Sequence, residues 1–344
     1  FSLGCTVFKA PLLTIVGADS TTSQATAEYL KWTVTFGAAP AILNVVMAYL
    51  VRSEGSTMHA SIGTMSGCLL NILLDPIFVL PWGFDMGAAG AGLATFLSNC
   101  FACLYFFALL FVRRGKTYVC VDPRKFCLRR SIVFGVFAVG VPASIQNLLN
   151  VTGMTILNNF TSAYGANAVA AMGISYKIYM IPMYVSQGLG QGIMPLVSYN
   201  YASGNAKRMK HAVTFSAKSI LCLMVTIAAI YFAAPGFFVS LFMDNQAIID
   251  YGSRFLRGFC LGLPFLSIDF LGVGVYQAIG LGRYSLTFAI MRKIVLEIPA
   301  LFILNYFAPL YGLAYAQFCA ELVLGIAAVI TLSRIFKRVE QNAA

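Results

Sequence analysis

Charge is what this sequence has least of. Only 10% of its 344 residues are Asp, Glu, Lys or Arg, against about a quarter in a soluble globular domain, and that scarcity excludes an ordinary water-exposed fold. Acids are scarcer still, 12 against 23 basic residues. Histidine occurs twice, and most of the nine cysteines are scattered through apolar segments. Cys100 and Cys103 form a CxxC inside a helix-like run, with no second pair and no His cluster nearby, which argues against a metal or redox centre. No P-loop is present to use ATP, and no DDxxD-type run to hold the Mg²⁺–diphosphate of a prenyl transferase. No filter-like re-entrant loop suggests a channel. These absences point away from an enzyme.

What is present is apolar: 59% of the chain is hydrophobic and the mean hydropathy is +0.81. A membrane helix needs about 20 such residues. Runs at 1–17, 27–51, 57–81, 88–112, 132–162, 166–199, 211–234, 251–281, 284–308 and 311–333 predict ten helices of an all-α, polytopic membrane protein. Alternate connections contain 15 Lys or Arg, and the others none. The positive-inside rule therefore puts the basic set and the C-terminus in the cytoplasm, in a multi-pass protein of the cell membrane. The net charge of +11 is thereby explained by topology, without nucleic acid. The expected surroundings are a lipid bilayer, and the expected state is a monomer.

The longest and most basic connection, 113–131, reads as a cytoplasmic linker. It separates an N-terminal lobe (1–112) from a C-terminal lobe (132–338), with a tail at 339–344. "GAAGAGLATF" resembles "PLYGLAYAQF", "EYLKWTVTFG" resembles "RFLRGFCLGL", and "LNILLD" aligns loosely with "LEIPAL", all at an offset near 222–226 residues. The chain begins at Phe1, inside an apolar run. Subtracting the offset from 132 lands roughly 90 residues before that point. The expectation is a four-plus-six arrangement of ten helices out of twelve, the first lobe corresponding to helices 3–6. Repeated lobes around a cavity are a transporter plan.

One carboxylate stands out. Asp75, in "NILLDPIFVL", lies inside an apolar run, where a charge costs about 2.5–3.5 kcal/mol on insertion scales. Asn71 precedes it by one helical turn and shares its face. Thr95 is expected at similar depth on the next helix. Pro76 lacks an N–H and frees the Ile72 carbonyl. Oxygen donors around one carboxylate suit Na⁺, or H⁺ if the carboxyl is buried. A structural Asp bonded to neighbouring helices is the competing reading.

In the second lobe Asp269, Glu297 and Glu321 are the candidates for a further cation site, beside Gln146 and with Lys177 and Arg292 as counter-charges; mutual neutralisation between helices is the favoured reading. Lys293, Arg254 and Arg257 are expected to snorkel. In "GLGQGIMPLVSYNYASGN", Gly188, Gly192 and their neighbours predict a small-residue face for close helix packing, with Asn200 and Gly204 near a helix end. Met154, Tyr176, Met180, Met183, Gln191 and Tyr276 are candidates to line a drug cavity, since thioethers and ring faces adapt to mixed apolar cations.

"NILLDPIFVL…GAAGAGLATFLSN", "GVPASIQNLLNVTGMTILNNF", "GLGQGIMPLVSYNYASGN" and "QAIGLGRYSLTFAIMRKIVLEIP" resemble, in wording and order, the multidrug and toxic compound extrusion (MATE) family. The resemblance implies a two-lobe, twelve-helix antiporter that expels organic cations or drugs in exchange for Na⁺ or H⁺, with no other cofactor. It implies a first-lobe cation site at Asn71, Asp75 and Thr95, with Ala91 one turn before the Thr. A further carboxylate, on the family's first helix, has no counterpart in this chain. The seventh-helix Glu of some members is also missing: that stretch carries Gln146, Asn147, Asn150 and Asn158. A lipid-linked sugar flippase of the same superfold is the alternative, for which a more cationic cavity is expected.

Overall fold

The computed structural model describes residues 23–120 and 127–343. Among them, regular structure consists of twelve α-helices and two π-helical segments, without strands. The chain divides into two compact units, Phe1–Phe126 and Cys127–Ala344. The 1–17 run lies outside the described residues; the other nine runs are each helical, two of them interrupted by a π-helical segment.

The first unit contains α1 (Ser23–Leu30), a π-helical segment (Lys31–Phe36), α2 (Ala38–Ser53), α3 (Thr57–Val79) and α4 (Gly87–Val112). The uninterrupted span expected over 27–51 is instead bent by 51° between Phe36 and Ala38. The cause is local. Pro40 has no N–H to give the Phe36 carbonyl, so the preceding turn widens. α4 packs against α1, α2 and α3 through a buried small-residue face of Gly90, Gly92, Ala94, Ser98 and Ala102. A Cβ at Gly90 would lie 2.5 Å from the Phe78 carbonyl oxygen, and one at Gly92 3.0 Å from that of Tyr29. Where lipid replaces water, such close packing supplies much of the attraction between helices. Glu54, after α2, accepts the Thr117 hydroxyl and the backbone N–H groups of Tyr118 and Val119. Arg113 donates to Ser56 at 2.8 Å. The first residues of the basic connection are thus tied to the α2–α3 turn.

The second unit contains α5 (Arg130–Ser162), α6 (Ala166–Ala202), α7 (Ala206–Ala233), the short α8 (Pro235–Ser240), α9 (Gln246–Ala278), α10 (Gly282–Ile290), a π-helical segment (Met291–Glu297), α11 (Ile298–Phe307) and α12 (Gly312–Ala343). α8 and the first turn of α9 fall in what the sequence suggested was a loop. Asn245 caps α9 by accepting from the N–H groups of Ala247 and Ile248, which starts the helix five residues early. α6 ends close to Asn200 and Gly204; the latter takes a φ of +71° that suits glycine. α9 is the centre of this unit, packed on α6, α7 and α12. It has buried residues on every face, as a helix apolar all round should. The second π-helical segment also precedes a proline, Pro299, and interrupts the pass expected over 284–308.

Among the described residues, seven helices (α3–α7, α9 and α12) are long and apolar enough to cross a membrane, and the bent α1–α2 pair makes an eighth. The sequence repeat reappears in the element starts. α3 and α10 begin at Thr57 and Gly282, and α4 and α12 at Gly87 and Gly312, each pair 225 residues apart.

The packing face assigned to Gly188 and Gly192 needs correcting. Both are exposed, and an added Cβ would meet nothing within 4 Å. The close approach is made between them, by Gly190: its own Cβ would lie 3.1 Å from the Phe270 carbonyl oxygen, and a Cβ at Gly274 would lie 2.9 Å from the Gly190 carbonyl oxygen. Gly190→Val should therefore push α6 from α9 and cost about 1–3 kcal/mol. Gly188→Ala and Gly192→Ala should leave stability level or slightly raised. Denaturant unfolding in detergent micelles distinguishes the two outcomes.

Candidate functional site

In the first unit the Asn71 amide donates to an Asp75 carboxylate oxygen at 3.4 Å, along one face of α3. Pro76 lies in the last turn, and the helix continues to Val79 without a break. Two close contacts fix the register of α3 against the antiparallel α4: Phe78 lies at Gly90, and Gly67 lies at Ser98 and Ala102. Interpolation between them sets Thr95 level with the turn joining Asn71 to Asp75. The Thr95 hydroxyl donates to the Ala91 carbonyl at 2.9 Å. This leaves its oxygen lone pairs available and gives Ala91 its place beside the threonine.

Beside this face is a cavity of about 110 Å³ lined by Asn44, Thr64, Asn71, Thr95, Ser98 and Asn99, among others. Asn44 and Asn99 were missed in the sequence. Asn44 donates to the Asn99 side-chain oxygen at 3.1 Å, and Asn99 donates to the Thr95 carbonyl at 2.9 Å. The Asn44 side-chain oxygen is buried and has no hydrogen-bond partner among the described residues. An isolated Asn in an apolar run, as in "ILNVV", was the available signal. The cavity is thus walled by neutral oxygen and amide groups from α2, α3 and α4, and half-buried Asp75 stands one turn beyond Asn71. Such a set can take up a small cation, by direct ligation or by protonation of the carboxylate.

The second unit gathers its charges around the π-helical segment. Arg292 forms ion pairs with Asp269 of α9 and, at 3.8 Å, with Glu321 of α12. Its guanidinium lies 4.6 Å from the Phe270 ring centroid. Lys293 pairs with Glu297 one turn on, at 2.6 Å, and its stem covers Gly153 of α5. All five are buried. Lys293 therefore does not snorkel: the wide turn before Pro299 points it inward. Arg254 and Arg257 are exposed, stacked on Tyr311 and Phe232. Lys177 is exposed on α6 and meets none of the three carboxylates, so it is not their counter-charge.

The cavity-lining candidates separate in the same way. Tyr276 is fully buried against Tyr284 and Phe288, and Tyr176 is buried against Tyr179 and Phe259. Both rings are packed core, not cavity wall. Met154, Met180 and Met183 are half-buried and pack on that core. Gln146 and Gln191 line a second cavity, between α5, α6 and α9.

The network holds three carboxylates to two bases, and this asymmetry makes a prediction. Arg292→Ala strands two buried carboxylates and should cost about 3–5 kcal/mol of stability. Glu321→Gln removes the surplus negative charge and should cost far less. Unfolding in detergent with sodium dodecyl sulfate as denaturant should separate the two variants clearly.

Comparison with known proteins agrees with this architecture. The MatE family model matches residues 142–303. The multidrug export protein MepA of Staphylococcus aureus (strain bovine RF122 / ET3-1) is 33% identical over 325 residues, covering 94% of this chain and 70% of the relative. MepA of Staphylococcus saprophyticus is 32% identical over 336 residues, covering 96% and 72%. Among solved structures, a MATE protein in complex with MaL6 superposes with a TM-score of 0.91 at 24% identity, covering 99% of this chain and 76% of that one. The Vibrio cholerae MATE transporter VcmN in the bent form gives 0.84 at 20%, covering 99% and 76%. The chain belongs to the MATE family of multi-pass membrane transporters, and is not an enzyme.

Proposed function

We propose that the protein exports lipophilic cationic drugs or toxic compounds across the cell membrane in exchange for Na⁺ or H⁺. The observation that carries this reading is Asp75: a carboxylate inside a membrane-length helix, held by Asn71 and bordered by a cavity of neutral oxygen donors. An intramembrane carboxylate is costly, and function is the usual reason for keeping one. Drug export follows from the relatives, which are named multidrug export proteins. The basic connections support a cytoplasmic C-terminus, and we take the working unit to be a monomer.

Asp75 couples the two fluxes because its charge can change. Occupied by H⁺ or Na⁺, the site is near neutral and tolerates an apolar environment; empty, it is anionic and attracts a lipophilic cation. A single group alternating between these states makes ion and drug mutually exclusive. The membrane potential supplies about 2.3 kcal/mol per charge for each 100 mV, enough to drive a modest gradient. The second-unit carboxylates are held by Arg292 and Lys293, and we assign them to holding α9, α12 and the π-helical segment together.

Asp75→Asn keeps the shape and removes the charge. In proteoliposomes carrying the protein, it should abolish ethidium efflux driven by an ion gradient while leaving insertion intact. Asn71→Ala and Thr95→Ala should raise the ion concentration needed for half-maximal efflux, with a smaller loss of maximal rate. Normal gradient-driven efflux by Asp75→Asn would move the coupling role elsewhere. Running the assay with Na⁺ and H⁺ gradients separately identifies the ion.

A further inference from the structure

The second unit encloses a cavity of about 50 Å³ walled by four glutamines on three helices: Gln146 of α5, Gln187 and Gln191 of α6, and Gln277 of α9. Gln187 and Gln191 are one turn apart on one face of α6. The Gly190–Gly274 approach, which only residues without a side chain allow, seats that face against α9. Gln277 donates to Ser285 at 3.0 Å and keeps its carbonyl oxygen. Among the described residues, none hydrogen-bonds the side chains of Gln146, Gln187 or Gln191.

Three unanswered amides around one small space need an explanation in an apolar unit. Each presents a carbonyl acceptor and two N–H donors, and each residue is only half-buried, so water in the cavity can answer these groups and a ligand must match those hydrogen bonds to displace it. The unit's five buried charges are grouped around the π-helical segment, where Arg292 and Lys293 meet the three carboxylates, and none of the five lines this cavity. The volume suits about three waters, or one polar substituent, and is far too small for a whole drug. With four amides and no carboxylate or base on its wall, the cavity selects by hydrogen bonding, not by charge.

We propose that this cavity is a hydrogen-bonding subsite of the transport pathway. It takes an uncharged polar substituent (a carboxamide, carbonyl or hydroxyl) of an amphiphilic cation, which displaces the waters held by the amides. The inference rests on the exporter reading and adds to it the chemistry by which one cation is preferred over another. Purely apolar cations gain nothing from the subsite. Cations bearing an amide gain hydrogen bonds that the cavity otherwise spends on water.

A matched pair of ligands tests this: tetraphenylphosphonium, which has no hydrogen-bonding group, and (carbamoylmethyl)triphenylphosphonium, which adds a primary amide. Equilibrium binding of both is measured on the purified protein and on Gln146→Met, Gln187→Met and Gln191→Met, which keep side-chain length and lose the amide. The expected result is an affinity loss of about tenfold per variant for the carbamoyl ligand, with tetraphenylphosphonium changed by less than about twofold. If a Met variant does not fold, Gln→Ala at that position makes the same comparison with space left for water. Equal losses for both ligands, or no loss for either, would overturn the subsite. Wild-type protein that binds neither ligand would overturn the exporter reading itself, and the subsite with it.

Discussion

Within a bilayer a polar group persists only where the protein, a trapped water or a solute answers it. That constraint orders the whole molecule. Serine and threonine hydroxyls return to the backbone of their own helices or reach a neighbour's carbonyl, as Ser175 does to Gly252 and Ser198 to Ala278. Arg292 and Lys293 meet carboxylates, and Gln317 donates to the Tyr179 hydroxyl at 2.8 Å. Besides these pairs, polar side chains border two cavities: Asn44, Asn71, Thr95 and Asn99 in the first unit, and Gln146, Gln187, Gln191 and Gln277 in the second. Both are where the proposed transport would bring a species able to replace water.

Two prolines do much to distribute those groups. Pro40 and Pro299 each follow a π-helical segment, where a missing N–H and a crowding ring favour a widened turn. A π turn rotates its side chains relative to an α-helix and leaves backbone carbonyls loosely held. Around Met291–Glu297 the rotation brings two successive bases into a buried position that regular periodicity would have split between faces. Such breaks are also where helices bend at least cost, so the charge network sits where movement of α10 relative to α11 would be felt.

The sequence made the helical class, nearly every helical run and the isolation of Asp75 in an apolar helix legible, because hydropathy and the rarity of intramembrane acids are one-dimensional signals. It made the register of α3 against α4 legible only roughly, since glycine contacts at Gly67 and Gly90 decide it. It misjudged Lys293, whose distance from a helix end says nothing of a π turn. It misjudged Gly188 and Gly192 because three glycines in alternation cannot reveal which one faces a partner. Tyr176 and Tyr276 looked like cavity aromatics, yet they fill core layers around α9. Asn44 and Asn99 passed unnoticed because their significance lies in meeting each other across 55 residues. Apart from Lys293, where a local π turn decides, contacts between helices account for these misses.

The account stands on Asp75 being the group whose occupancy changes when a lipophilic cation binds. The most direct measurement is ion release from detergent-solubilised protein on adding tetraphenylphosphonium, followed with a pH indicator for protons and by counting preloaded radioactive sodium. The account predicts that one coupling ion leaves the wild-type protein for each cation bound, and that none leaves Asp75→Asn. Equal ion release from both proteins would contradict it.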